Sequence, residues 1–125
     1  MSTNLNNLKC TPCSGKTPKL SHDEISINFK KLFNWSINDE KEMLFKKFIF
    51  KTFKAALNFT NSVGDLAEKE GHHPDISLGW GYCLIMIHTH AIKGLSINDF
   101  VLASKIDLID LWLYKKYLCF FLYKL

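Results

Sequence analysis

The sequence predicts an α+β domain, a four-stranded antiparallel sheet with helices packed on one face. Three observations predict it. Hydrophobic periodicity runs helix, strand, strand, helix, strand, strand, helix along the chain. The strands of each pair are joined by tight turns, which favours antiparallel pairing. The chain has 125 residues, 47% of them apolar and ten of them Phe, enough for one domain whose core needs no disulfide.

Residues 1–20 read as a flexible arm, rich in Asn, Ser, Thr and Lys, with Cys10-Thr-Pro-Cys13 in its middle. A Cys-x-x-Cys can be half a zinc site or a redox pair. Cys83 and Cys119 do not have the spacing of a second zinc pair. A redox pair would open a helix after a strand, and Pro and Ser stand there instead. The expectation is two thiols in an arm.

The domain proper spans 21–110. Ser21 caps a first helix, Asp23 and Glu24 suit its positive end, and Ile25, Phe29, Leu32 and Phe33 form one face, so the helix runs to Phe33. A short strand follows at Trp35–Ile37, then a turn over Ile37–Glu40. Met43–Phe50 alternates as a second strand. Leu44, Phe48 and Phe50 lie on one side, Met43, Phe45 and Ile49 on the other, and Lys46 and Lys47 interrupt each face once. Thr52–Glu70 is the clearest helix, its stripe being Phe53, Ala56, Leu57, Thr60, Val63 and Ala67, widened by Phe59 and Leu66. Gly71 suits its C-terminus. His72 and His73 emerge from that end, and Pro74 keeps His73 extended. Ile76–Thr89 reads as two strands about a turn at Gly79–Gly81. A second strand running on through His90 would put His88 and His90 on one face. After Gly94, Ser96 and Asp99 form a capping-box variant for a last helix through Phe100, Ala103 and Ile106. Residues 111–125 form an apolar tail, read as a helix buried against another subunit or as an extension.

Composition narrows the function classes. The net charge is +4, but the lysines are scattered and no dense basic stripe exists, which argues against direct nucleic-acid binding. Met1–Leu8 is polar and lacks the apolar core of a secretory signal, so a reducing, cytoplasmic setting is expected. No apolar stretch reaches the ~20 residues of a membrane span.

Chemistry concentrates in Glu68–Asp99, which holds four of the five histidines. His22 lies apart, at a helix start, and is expected to face solvent. Imidazole gives and takes protons near neutrality, so two His pairs joined by a hairpin-length segment suggest a proton-transfer site. Two other classes stay open. His72, His73, His88 and His90 could converge on zinc, although adjacent histidines on an extended segment point apart. A protein-binding role is the other.

In this stretch the chain resembles the pterin-4a-carbinolamine dehydratase family. The matching residues are His72-His73-Pro74-Asp75, Thr89-His90, Gly94-Leu95-Ser96 and Asp99, with Phe50, Phe53 and Ala56 upstream, Trp35 near the start and Ala103–Asp107 in the closing helix. Cys10-x-x-Cys13, Pro18 and Leu20 resemble an N-terminal segment of some eukaryotic members. Gly71 stands where many members have Asn or Asp, and Ile76 replaces a common Trp, with Trp80 further on. The resemblance implies dehydration of a 4a-hydroxytetrahydropterin to the quinonoid dihydropterin, in tetrahydrobiopterin recycling, with neither metal nor organic cofactor. It implies His72, His73 and His90 as catalytic residues, Glu68 and Asp99 as supporting carboxylates, and Pro74, Asp75 and Thr89 as substrate contacts. His88 has no role in it. Either His73 or His90 would protonate the departing hydroxyl, and His72 would take the N5 proton. It further implies a homodimer or homotetramer in the cytoplasm, with the nucleus as a second compartment, since some members also partner a homeodomain transcription factor as coactivators.

Overall fold

The protein is described here by a computed structural model that covers the backbone of residues 4–123 and the side chains of residues 4–113. In order, the elements are α1 (His22–Phe29), β1 (Ser36–Ile37), β2 (Leu44–Ile49), α2 (Phe53–Glu70), β3 (Asp75–Gly79), β4 (Tyr82–Ile87) and α3 (Ile97–Tyr123). The four strands form one antiparallel sheet in the order β1-β2-β4-β3. This is the α+β architecture expected.

Local chemistry sets most boundaries. Ser21 and Glu24 close a reciprocal capping box at α1, and Thr52 caps α2 by accepting from the Ala55 N–H. Gly71 ends α2 in the left-handed conformation, at φ 67°. Two expectations need correction. The first helix ends at Phe29, not Phe33. Lys31 and Leu32 bond back to Asn28 and Phe29 in tighter turns, and Asn34 then reverses the chain at φ 59°. The last strand does not run through His90 either. It stops at Ile87, Thr89 pairs in isolation with Gly94, and His90–Ile92 forms a 3₁₀ turn closed by left-handed Lys93.

Period-2 alternation buries one sheet face. Leu44, Phe48, Cys83, Ile85 and Ile87 pack against Phe59 and Val63 of α2 and Phe100, Leu102, Ala103 and Ile106 of α3. Lys46, which interrupts this face in the sequence, bonds Asp107 of α3 at 2.8 Å and lies 4.7 Å from the Phe48 ring centroid. Trp35 Nε1 donates to the same carboxylate at 3.0 Å. One aspartate thus ties β1 and β2 to α3. On the opposite face Ile49 is exposed, and the Lys47 ammonium lies 4.8 Å from the Tyr82 ring centroid.

The segment read as an arm lies across the body. Leu5 and Cys10 are buried. The Cys10 N–H donates to Glu70 Oε2 (3.0 Å), Thr11 and Asn98 exchange two hydrogen bonds (3.0 and 2.8 Å), and the Leu20 N–H donates to the Leu95 carbonyl (2.9 Å). Glu70, the last residue of α2, is buried at 6% exposure and also takes the Lys105 ammonium of α3.

The backbone of α3 stays helical across residue 110 to Tyr123. Leu111 and Trp112 are exposed. The expected apolar run over 117–123 has side chains outside the described residues. Among the described residues, no helix is long and apolar enough to cross a membrane.

Glu70 generates a stability prediction. Burial works against its charge, but the Lys105 ammonium and the Cys10 N–H outweigh burial and hold its carboxyl below the usual range. The folded state therefore binds fewer protons than the unfolded chain. The contribution is complete above the unfolded carboxylate value of about 4.3 and is lost as pH falls through the depressed folded value. Glu70→Gln should cost roughly 1–3 kcal/mol at pH 7, and urea unfolding should show the gap to wild type closing in acid.

Candidate active site

The site is built around a buried carboxylate. Asp99, in the first turn of α3, has 0% exposure. Its Oδ1 meets His72 Nε2 at 2.6 Å, and its Oδ2 accepts the Thr89 hydroxyl and the Ser96 N–H, each at 2.8 Å. The Thr89 proton goes to Asp99, so the Ser96 hydroxyl donates to Thr89 across their 2.8 Å contact. The expected capping residue therefore caps its helix and orients an imidazole at once. Only half of the expected box forms, because the Ser96 hydroxyl faces Thr89 instead of the Asp99 N–H.

His72 is buried and held on both nitrogens. With Asp99 as carboxylate, Nε2 carries the donated proton, and Nδ1 faces Cys13 Sγ at 3.3 Å. Asn98 Nδ2 donates to the same sulfur at 3.1 Å. Cys10 behaves differently. Burial, then the Glu70 carboxylate, pushes its thiol up to about 12, so it carries no thiolate at neutral pH. Cys10, Cys13 and Cys83 are free thiols.

His73 faces outward. Its Nε2 meets Glu68 Oε1 at 2.6 Å, with 60% of the imidazole and 79% of the carboxylate side chain exposed. Glu68 does hold an imidazole, and the one it holds is His73. His90 opens the 3₁₀ turn and is exposed, its ring 3.9 Å from that of His88 between centroids. His88, half-buried, meets Asp75 Oδ2 at 3.0 Å. His22 is exposed on α1. Trp80 stands exposed at the β3–β4 turn.

Among the described residues no hydrogen bond or ring contact joins His72, His73 and His90 directly. Their link is Asp99, which bonds His72, the neighbour of His73, and Thr89, the neighbour of His90. A cleft of about 400 Å³ opens beside this knot, lined by Asn38, Glu42, Met43, His88, His90, Lys93 and Gly94. That is within the ~300–1,000 Å³ of small-molecule sites. A second cleft, about 360 Å³, between α1 and the β1–β2 turn holds none of the expected residues. Cys13, which faces His72, and Asn98, which donates to Cys13, escaped the sequence reading because they lie 59 and 26 positions from His72. His88 and His90 do lie together, but across the 3₁₀ turn that begins at His90 and not on one face of the extended strand that the alternation suggested.

Comparison with known proteins agrees with the motif order. The family model described as pterin 4 alpha carbinolamine dehydratase matches residues 18–109. The chain belongs to the pterin-4-alpha-carbinolamine dehydratase family. A relative from Alkaliphilus metalliredigens is 50% identical over 105 residues, covering 83% of this chain and 94% of its own. One from Methylococcus capsulatus is 44% identical over 99 residues, covering 79% and 87%. Both carry pterin-4-alpha-carbinolamine dehydratase as a provisional name. A crystal structure titled transcriptional coactivator/pterin dehydratase, from Brucella melitensis, superposes with TM-score 0.70 at 27% identity, covering 74% of this chain and 98% of that one.

The buried knot generates its own prediction. Asp99→Asn replaces one of two accepting oxygens by a donor facing donors, and should cost roughly 2–4 kcal/mol. Urea unfolding at neutral pH, with an unchanged m-value, checks it.

Proposed function

We propose that this protein dehydrates 4a-hydroxytetrahydropterins to quinonoid dihydropterins by imidazole acid–base catalysis, in tetrahydrobiopterin recycling. One observation carries the reading beyond family membership. The exposed imidazoles His73 and His90 each sit one residue from a partner of the same buried carboxylate. Asp99 thereby sets two proton carriers from distant segments at a fixed relation.

The reaction asks for little else. The C4a–O bond breaks as the oxygen gains a proton and leaves as water. N5 loses its proton, and its electron pair forms the C4a=N5 bond. One acid and one base suffice, with no net proton change, and each contributes ~10² to 10⁴ in rate. His73 or His90 protonates the leaving hydroxyl, and the other serves as base at N5. Glu68 fixes the His73 tautomer through the 2.6 Å contact. His72, first assigned the N5 proton, has both nitrogens engaged, so in this geometry it is a positioning residue that ties the His73 segment to α3. Thr89 positions His90 in the same way, and Pro74 and Asp75 border the pterin. The open β3 edge suits pairing with a second copy, in keeping with a cytoplasmic homo-oligomer.

His73→Ala and His90→Ala should each lower kcat by ~10² or more, while His88→Ala stays near the wild-type rate. Stopped-flow loss of the 4a-adduct reads this directly. Full rates in both catalytic variants would sink the assignment.

A further inference from the structure

The four-histidine zinc set considered from sequence does not form. His72 is committed to Asp99 and Cys13, and His73 to Glu68. A different set does. Asp75, at the start of edge strand β3, and His88 and His90, just past the end of β4, each offer a ligand atom, and these atoms all lie within 4.8 Å of one another.

We propose that Asp75, His88 and His90 form a binding site for a borderline first-row divalent cation, represented by Zn²⁺. The donor set is two imidazoles and one carboxylate, which suits zinc and leaves further positions for water. The closest pair, His88 Nε2 and Asp75 Oδ2, is already 3.0 Å apart, near the ~3.3 Å edge of a tetrahedron with ~2.0 Å bonds. Binding displaces the proton those two atoms share; the His88 ring takes the Nδ1–H tautomer, which leaves the Nε2 lone pair for the metal. His90, exposed at the head of its turn, swings in by side-chain rotation. The backbone between the two histidines is already held, because Thr89 is pinned by Asp99. Glu42 lines the same cleft and adds negative charge, and Lys93 opposes it. Neither His88 Nδ1 nor the remaining His90 nitrogen has a hydrogen-bond partner among the described residues. Such unsupported rings bind metal more weakly than a structural zinc site, which fits a reversible, regulatory occupant.

A functional consequence rests on the dehydratase reading. Metal on His90 removes the lone pair that would carry a proton, so Zn²⁺ should inhibit turnover.

The test titrates the full, metal-stripped chain with Co²⁺ as a spectroscopic probe and then displaces it with Zn²⁺. One equivalent should give visible d–d bands without a thiolate charge-transfer band. His88→Ala and Asp75→Asn should each weaken binding at least ~10-fold, with circular dichroism confirming that the variants fold. Absence of saturable binding would overturn the site. So would a thiolate band, which places the metal at a cysteine, or binding unchanged in either folded variant. Zn²⁺ should slow the wild-type dehydratase and spare His88→Ala. Co²⁺ bound through His88 in a protein without dehydratase activity would support the site and remove the dehydratase reading alone.

Discussion

Asp99 is the constraint on which the site depends. A buried carboxylate is tolerable only when its oxygens are satisfied, because removing its charge from water costs several kcal/mol. Here three donors meet it, from three segments: the residue after the α2 C-cap, the turn after β4, and the N-cap of α3. Satisfying one charge therefore fixes the relative placement of the His72–Asp75 segment, the Thr89–Gly94 turn and the helix start. The N-terminus of α3 adds its own favourable field. His73 and His90 stay exposed while the bonds to Asp99 fall to their neighbours His72 and Thr89.

Glu70 and Asp107 repeat the device elsewhere. Glu70 joins the N-terminal segment to α2 and α3 through the Cys10 N–H and the Lys105 ammonium. Asp107 joins Trp35 and Lys46 to α3. In each case a carboxylate bridges elements that the apolar core packs without specifying their register. Hydrophobic burial supplies the driving force, and these polar bridges set which residues face one another.

The N-terminal segment alters the site in a way composition concealed. Its Asn, Ser, Thr and Lys content reads as solvated chain, yet Cys13 closes one side of His72 and Lys19 reaches the Lys93 carbonyl at 3.2 Å. These contacts span about 60 and 74 positions. Local pattern holds no trace of such pairings, since a thiol or an ammonium in a polar stretch looks the same docked or free.

By itself the sequence determined what local rules govern: the order of the elements, the capping of α1, the left-handed Gly71, the alternation that buries Leu44, Phe48 and Ile85, and the motif set that names the family. These depend on residues a few positions apart, where sterics and hydrogen-bond geometry act directly. Only the tertiary structure decided which histidine each carboxylate would hold, that the chain would turn at His90 instead of extending, and that His88 would meet Asp75. Those outcomes follow from competition among distant polar groups for a few buried partners, and such competition is settled by packing in three dimensions.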